Sequence, residues 1–172
     1  MSAVETAVAR LVASFAEDLV VQWLDLPRPE DLFRPLAQEA SSVGRLDLDL
    51  PGTVALWLPD SGERATEPPS ARLPRRLRSY VDAMMAAHSG RGPHVHLQFV
   101  GVTPDHRGRG LGGRLLTRGL ARARASGTPV RLEASTPRSA LLYARHGFVR
   151  TGADIRLPEG PTLIPMWWHP AP

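Results

Sequence analysis

Cysteine, lysine and asparagine are absent from the 172 residues of this chain. Without cysteine, the protein can form neither a disulfide nor a thiolate metal site. The histidine and carboxylate residues also lack the spacing of a metal site, so we expect no metal. No apolar run approaches the ~20 residues that cross a membrane, and no basic segment precedes an apolar core near the N-terminus. We therefore expect a cytoplasmic protein without a signal peptide or a membrane anchor.

Because lysine is absent, all 21 basic residues are arginine, and 17 acidic residues leave a net charge of +4. Most of the arginines are spread along the chain, whereas the basic residues of a nucleic-acid-binding surface are clustered. We therefore do not expect a nucleic-acid partner. Arg114, Arg118 and Arg122 do recur every four residues, and this stripe keeps a nucleic-acid-binding module as one alternative.

A chain of this length can bury one substantial core but not two, so we predict a single domain over residues 1–172. Helical spacing of apolar residues predicts helices over residues 3–18, 30–40, 74–89, 111–126 and 137–146. Strand patterns occupy residues 43–50, 53–58, 95–103, 130–134, 148–157 and 162–168. Residues 51–52 predict a hairpin turn between the first two strands, and residues 59–70 predict a loop.

The most specific pattern lies between Val95 and Leu116. An apolar run ends before Pro104, which cannot donate to a sheet ladder. A polar loop, alternating glycines and an amphipathic helix follow. Glycines at a helix start expose backbone N–H groups where the helix dipole favours negative charge. The pattern therefore predicts a site for a phosphate or pyrophosphate.

Two families place a glycine-rich turn between a strand and a helix, and the dinucleotide-binding fold is the first. Gly108, Gly110 and Gly113 fit its G-x-G-x-x-G pattern, and Glu133 follows at about the expected ~20 residues. In that fold the glycines follow the strand directly, whereas residues 103–107 intervene here. Too little chain also remains after Glu133 for the rest of a doubly wound sheet. The dinucleotide-binding fold therefore accounts for the spacing of the glycines but not for the segments before and after them.

The second match is wider and includes several segments in order. Residues 107–112 fit [R/Q]-x-x-G-x-[G/A], the acyl-CoA signature of the GNAT superfamily of N-acetyltransferases, which this sequence resembles. Other segments resemble the family's fourth strand and its exit, its fifth strand, its fourth helix and the last strand of one subgroup: residues 100–104, 132–138, 142–148 and 160–167. The resemblance covers residues 93–168 well and the N-terminal half loosely.

The resemblance implies a mixed α/β fold, the GNAT fold. Its central seven-stranded sheet is mostly antiparallel, is flanked by helices, and has parallel, splayed fourth and fifth strands. The resemblance also implies an acyltransferase that moves an acetyl group from acetyl-CoA to a primary amine by direct attack. The acceptor would be a small molecule or a peptide, and a homodimer is common in the family. A non-catalytic acyl-CoA-binding or regulatory domain of the same fold is the alternative.

By the same resemblance, cofactor contacts are expected at defined positions. The backbone of Val100, Gly101 and Val102 is expected to pair with the pantetheine arm and to polarise the thioester, with Gly101 as a bulge residue. The pyrophosphate is expected on the signature loop and the helix start: Arg107, Gly108, Arg109, Gly110, Leu111, Gly112 and Gly113. Arg114 is expected to attract the ribose phosphate. Thr136 stands where many family members have asparagine, so it either contacts the cofactor or only caps the next helix.

For catalysis, the resemblance places Tyr143 near the sulfur, where its hydroxyl can protonate the leaving thiolate. Glu133 and His96 lie on the two strands that border the cleft, and either side chain could remove a proton from the amine. A water relay is equally compatible with the sequence. The general base therefore stays open among Glu133, His96 and water.

Calorimetric titration with acetyl-CoA, with NADH as the control ligand, distinguishes the two interpretations of the glycine loop. We expect acetyl-CoA to bind and NADH not to bind, because the loop context matches the acyl-CoA signature and not the dinucleotide fold. Binding of NADH alone would reverse the assignment of Gly108 to Gly113. Binding of neither ligand would indicate a degenerate cofactor site and favour a non-catalytic, regulatory domain of the same fold.

Overall fold

The structure is a computed structural model that describes residues 1–63, 72–88 and 91–171. Its helices are α1 (Ala3–Phe15), α2 (Leu19–Leu24), α3 (Glu30–Ser42), α4 (Arg75–His88), α5 (Leu111–Ala125) and α6 (Pro137–Arg145). Its strands are β1 (Leu46–Asp47), β2 (Thr53–Asp60), β3 (His94–Val102), β4 (Val130–Ala134), β5 (Val149–Arg150), β6 (Ile155–Arg156) and β7 (Thr162–Trp168). Residues 64–70 of the predicted loop, and residue 89 of a predicted helix, lie outside the described residues. Within the described ranges, no helix is both long and apolar enough for a membrane crossing.

The seven strands form a mixed sheet in the order β1-β2-β3-β4-β7-β5, and β6 also pairs with β7. Among the described residues, β3 and β4 are parallel and the other paired strands are antiparallel. The expected fold class, a mostly antiparallel sheet with one parallel pair and flanking helices, is confirmed. β3 and β4 correspond to the fourth and fifth strands of the expected fold.

Helices cover both faces of β2. Val54, Leu56 and Leu58 join the core beneath α1 and α3. Ala55 and Trp57 lie on the opposite face and join the core beneath α5. A strand that is buried on both faces is apolar at successive positions instead of alternating. The unbroken apolar run in β2 therefore reflects two hydrophobic cores, one on each side of the sheet.

The parallel pair β3–β4 is short. Val95 lies opposite Val130 and His96 lies opposite Arg131, and the register of the pair ends there. Beyond these positions β3 continues to pair with β2 through Val102, while β4 pairs with β7. The two strands therefore separate toward their carboxyl ends, as the splayed arrangement predicted.

The bulge in β3 lies at Gln98, and the prediction of a bulge at Gly101 is wrong. Gln98 is the extra residue between Leu97 and Phe99, which pair with successive residues of β2. Gly101 stays in register with β2, and its lack of a side chain serves packing instead. A Cβ at Gly101 would lie 2.8 Å from the Cβ of Ser14, so glycine lets α1 approach the sheet.

The strand predicted over residues 43–50 is reduced to the two residues of β1. The guanidinium of Arg10 in α1 donates to the carbonyl oxygens of Leu48, Leu50 and Thr53 at 2.9, 3.3 and 2.7 Å. These carbonyl groups therefore receive their hydrogen bonds from a side chain and not from a neighbouring strand. The alternation of leucine with aspartate was correct as a hairpin signal, because β1 pairs antiparallel with β2, but it overestimated the length of the ladder.

The single strand predicted over residues 148–157 is divided into β5 and β6. Gly152 lies between them with a φ of +74°, a conformation that glycine tolerates and a regular strand does not adopt. The two short strands pair with different parts of β7, since Val149 lies opposite Trp167 and Ile155 lies opposite Leu163. The glycine therefore interrupts an otherwise strand-like pattern.

Gly119 allows α5 to pack directly on Trp57, and its replacement tests this contact. A Cβ at Gly119 would lie 1.8 Å from Cζ2 of the indole. Helix propensity favours Gly119→Ala by about 1 kcal/mol, whereas overpacking in a core costs roughly 1–3 kcal/mol. Because the Cβ would overlap the indole so closely, we expect overpacking to dominate and the free energy of unfolding in urea to fall by up to about 2 kcal/mol.

Gly112→Ala is the matched control, because it lies in the same helix and its Cβ would come no closer than 3.7 Å to another side chain. We expect it to leave the free energy of unfolding unchanged or to raise it. Equal effects of both substitutions would contradict the role of Gly119 in close packing.

Candidate active site

A groove opens where β3 and β4 separate, and we call it the interstrand groove. It is bordered by the end of α1, by β3, by the loop that precedes α5, and by α6. Most of the predicted cofactor-binding residues line it: Val100, Gly101, Val102, Arg107, Gly108, Gly110, Leu111, Gly112, Gly113 and Thr136. Arg109 and Arg114 are exposed beside the groove and do not form its wall. Arg138 and Arg145 of α6 do line it, and sequence reasoning missed both.

Among the described residues, the backbone N–H groups at the start of α5 have no hydrogen-bond acceptor. Gly108 and Gly110 have φ values of +75° and +70°, and Gly110 caps α5 without a side-chain hydrogen bond. The first N–H groups of a helix have no acceptors inside the helix. The N–H groups of residues 111–113 are therefore available to an anion in the groove, where the helix dipole adds to the attraction.

The arginine of the signature, Arg107, holds the loop against α1. Its Nη2 donates to the carbonyl oxygen of Ser14 at 3.0 Å, and its Nε donates to that of Val102 at 3.3 Å. Its Nη1 lies 3.4 Å from a carboxylate oxygen of Glu17. The side chain therefore positions the loop, while the backbone of the same residue belongs to the groove.

The basic stripe on α5 is largely neutralised by the β1 segment. Arg122 pairs with Asp47 at 2.6 Å, and Arg118 pairs with Asp49 at 3.5 Å. Arg114 remains exposed at the start of the helix. Because two of the three guanidiniums already face carboxylates, the stripe does not provide the concentrated positive charge that a nucleic acid requires.

A second cavity adjoins the groove beneath α2, α3 and α4, and we call it the inner cavity. The two share Phe15, Asp18, Val100 and Ser135. Its apolar wall consists of Val20, Val21, Leu24, Leu32, Leu97, Phe99 and Leu163. Its polar side chains, besides the shared Asp18 and Ser135, are Tyr80, Gln98, Glu133 and Tyr143. The structure therefore brings both predicted catalytic residues, Tyr143 and Glu133, to one cavity.

Glu133 and His96 form a buried hydrogen-bonded pair, with 2.7 Å between Nε2 of the histidine and Oε2 of the glutamate. Arg131 donates from Nε to Oε1 of Glu133 at 2.8 Å and from Nη1 to the carbonyl oxygen of Ala87 at 2.6 Å. Burial lowers the pKa of Arg131, and the carboxylate of Glu133 opposes that effect. Arg131 thus supplies positive charge behind Glu133, while Glu133 borders the inner cavity.

Asp18 is a site residue that sequence reasoning missed. The first helix was predicted to include it, but α1 ends earlier and Asp18 caps α2. Its Oδ1 accepts hydrogen bonds from the N–H groups of Val20 and Val21 at 2.9 and 3.1 Å. The hydroxyl of Ser135 donates to its Oδ2 at 2.7 Å. An acidic residue before an apolar run is a recognisable helix start, but nothing local indicates the contact with Ser135.

Both tyrosines of the chain line the inner cavity. Burial raises the pKa of Tyr143 to about 12, and the charge of Asp18 adds to the shift. Burial and the charge of Glu133 also raise the pKa of Tyr80, against a hydrogen bond with Gln98 that lowers it. Both phenols therefore keep their protons at neutral pH and can act as hydrogen-bond donors.

Thr136 caps α6, as its sequence position predicted. Its Oγ1 accepts a hydrogen bond from the N–H of Ser139 at 3.1 Å, and the Ser139 hydroxyl completes a capping box. The residue also lines the interstrand groove. Its contact with a cofactor stays a prediction. In the described part of the chain, no group of His, Asp and Glu side chains could hold a metal ion.

Comparison with known proteins identifies the family. The model of the acetyltransferase (GNAT) family matches residues 9–148, so the chain belongs to this family and is an acyltransferase. A Corynebacterium glutamicum protein described as "histone acetyltransferase HPA2 and related acetyltransferase" is 29% identical, with a TM-score of 0.66 and coverage of 98% of this chain and 92% of that one.

Two insect proteins share the fold at lower identity. The polyamine N-acetyltransferase of Drosophila melanogaster, which forms N-acetylagmatine, is 21% identical with a TM-score of 0.78, over 96% of this chain and 94% of that one. Arylalkylamine N-acetyltransferase 2 of Aedes aegypti is 15% identical with a TM-score of 0.64, over the same shares.

The raised pKa values of the tyrosines predict a delayed alkaline titration. The pKa of an ordinary phenol is about 10, whereas burial raises the pKa of Tyr143 in the folded protein to about 12. Its contribution to stability is complete below a pH of about 10 and is lost as the pH rises toward 12, because the unfolded state releases the proton first. The tyrosinate absorbance of the native protein should therefore lag behind that of the protein in urea.

Tyr143→Phe and Tyr80→Phe assign the delayed signal to each phenol. Each variant should remove part of the high-pH absorbance change in the native protein. Coincident titration curves for the native and unfolded protein would show that the phenols are not buried as described.

Proposed function

We propose that the protein transfers the acetyl group of acetyl-CoA to a primary amine by direct attack. The observation that carries this proposal is the junction of the interstrand groove with the inner cavity at Phe15, Asp18, Val100 and Ser135. The groove begins at a helix N-terminus, which suits a pyrophosphate, and the cavity contains carboxylates, which suit an amine. The insect proteins named above act on amines, which supports the same class of acceptor here.

The residues of the groove fit acetyl-CoA. Gly112 has no close neighbour that excludes a Cβ, although glycine costs about 1 kcal/mol relative to alanine in a helix. A ligand lying against the first turn of α5 accounts for a glycine at this position. Arg138 and Arg145 add positive charge along the groove, which favours a ligand with several phosphates. When bound, acetyl-CoA supplies a thioester whose carbonyl carbon is the electrophile.

The backbone of β3 beyond the bulge is suited to polarise that carbonyl. Residues 100–102 pair with β2 on one side, and the separation from β4 leaves their other side open to the groove. We assign the oxyanion-stabilising N–H to this segment, because a fixed backbone dipole stabilises developing negative charge without reorganisation. Val100 lines both the groove and the inner cavity, which supports this position for the reacting carbonyl.

We assign proton removal from the amine to Glu133, which borders the inner cavity and is paired with His96 at 2.7 Å. A water between Glu133 and the amine is compatible with this role. Tyr143 donates a hydrogen bond to the leaving thiolate. Its pKa of about 12 exceeds the value of about 8.5 for an ordinary thiol, so hydrogen bonding is favoured over complete proton transfer.

Tyr143→Phe tests this assignment by removing only the hydroxyl. With acetyl-CoA and a panel of primary amines, we expect kcat to fall by about 100-fold, because the thiolate loses its donor. The dissociation constant for acetyl-CoA, measured by calorimetry, should stay unchanged. Tyr80→Phe removes the other phenol of the same cavity and should lower kcat far less.

Unchanged turnover in Tyr143→Phe would show that another group stabilises the thiolate. Acetyl-CoA binding by the unmodified protein without turnover on any amine would instead favour the non-catalytic alternative.

A further inference from the structure

The inner cavity contains two carboxylates whose charges are balanced differently. Glu133 is paired with Arg131 at 2.8 Å. Asp18 forms no ion pair in residues 1–63, 72–88 and 91–171, although it is half-buried. The hydrogen bonds it accepts come from neutral donors, namely the N–H groups of Val20 and Val21 and the hydroxyl of Ser135. One uncompensated negative charge therefore remains at the junction of the groove and the cavity.

The hydrogen bonds of Asp18 leave room for one more donor. A carboxylate offers about four acceptor positions, and three are occupied here. The hydrogen bonds and the dipole of α2 stabilise this half-buried carboxylate in part, and a cation beside it would stabilise it further. The remaining position and the unbalanced charge suit a single ammonium group.

Besides Asp18, the inner cavity contains one carboxylate from the described residues, Glu133, which Arg131 already balances. Its wall combines aliphatic side chains with the rings of Phe15 and Phe99. Within the described residues, no arginine or histidine lines it, and the guanidinium of Arg131 is engaged with Glu133 and with the carbonyl oxygen of Ala87. A carboxylate on the acceptor would face two acids without a cation. A second ammonium would meet neutral side chains and a carboxylate that Arg131 already balances, so its desolvation would not be offset.

We propose that the acceptor is a primary amine whose ammonium is its only charge and whose remaining part is apolar, and that Asp18 binds this ammonium. This inference rests on the proposed acetyl transfer and specifies its acceptor. It assigns to Asp18 a role in acceptor binding that is separate from proton removal at Glu133 and from thiolate stabilisation at Tyr143.

Two matched pairs of amines test the class of acceptor. Phenylalanine is phenethylamine with an added carboxylate, and cadaverine is pentylamine with a second ammonium. We expect kcat/KM to be at least about tenfold higher for phenethylamine than for phenylalanine, and for pentylamine than for cadaverine, because each added charge is left without a partner.

Asp18→Asn tests the binding residue. Asparagine caps a helix about as well as aspartate. Its Oδ1 can accept from the N–H groups of Val20 and Val21, and its Nδ2 can donate to the hydroxyl oxygen of Ser135, so α2 should keep its place. We expect KM for phenethylamine to rise by about tenfold or more, while the dissociation constant for acetyl-CoA stays unchanged. Asp25→Asn is the matched control, because it removes a carboxylate at the other end of α2, where the side chain is 84% exposed, and KM should not change.

Three outcomes would overturn the inference. A preference for phenylalanine or cadaverine would show that the cavity accommodates a second charge. An unchanged KM in Asp18→Asn would show that another group binds the ammonium. Either result leaves acetyl transfer itself intact. Failure of the unmodified protein to acetylate phenethylamine and pentylamine would overturn this inference alone if another primary amine of the panel is acetylated, and would overturn the proposed function as well if none is.

Discussion

The site depends on the separation of two parallel strands. β3 and β4 share two opposed residue pairs, at Val95 and His96 of β3, and then diverge. The bulge at Gln98 follows two residues after His96, and the remainder of β3 stays paired with β2. One edge of β3 is thereby exposed inside the protein without another strand to cover it. The interstrand groove occupies this gap, and it leads from the start of α5 to the inner cavity.

Around this gap, each neighbouring element contributes one kind of interaction. The loop before α5 presents N–H groups and positive φ glycines. The end of β4 contributes Glu133 and Ser135, and α2 contributes the capping carboxylate of Asp18. Helix α4 covers the cavity and places Tyr80 against Gln98. The proposed chemistry follows from this division, because donors for phosphate lie at one end and acceptors for an amine lie at the other.

Residues whose roles are local could be predicted from the sequence. The glycine signature, the cap of α6 at Thr136 and the apolar face of α5 depend on neighbours within one or two helical turns. The grouping of Glu133 with Tyr143 could be predicted because the family resemblance places Tyr143 near the sulfur and because Glu133 lies on a strand that borders the cleft. The pairs Asp18–Ser135 and Tyr80–Gln98 could not, because their members are far apart in the chain and each residue type has many common structural uses. Arg138 and Arg145 were missed for the same reason.

The amino-acid sequence alone determined the order of most helices and strands, the family and the loop that faces the groove, because periodicity, turn residues and motif spacing are properties of short segments. Tertiary structure alone decided where those patterns stop. Arg10 satisfies the carbonyl groups of Leu48 and Leu50 and so ends β1 early. Ser14 requires glycine at position 101. In the part of the chain that the structure describes, Glu133 has a counter-ion and Asp18 does not, because Arg131 lies beside Glu133 only. Only the folded chain establishes that proximity.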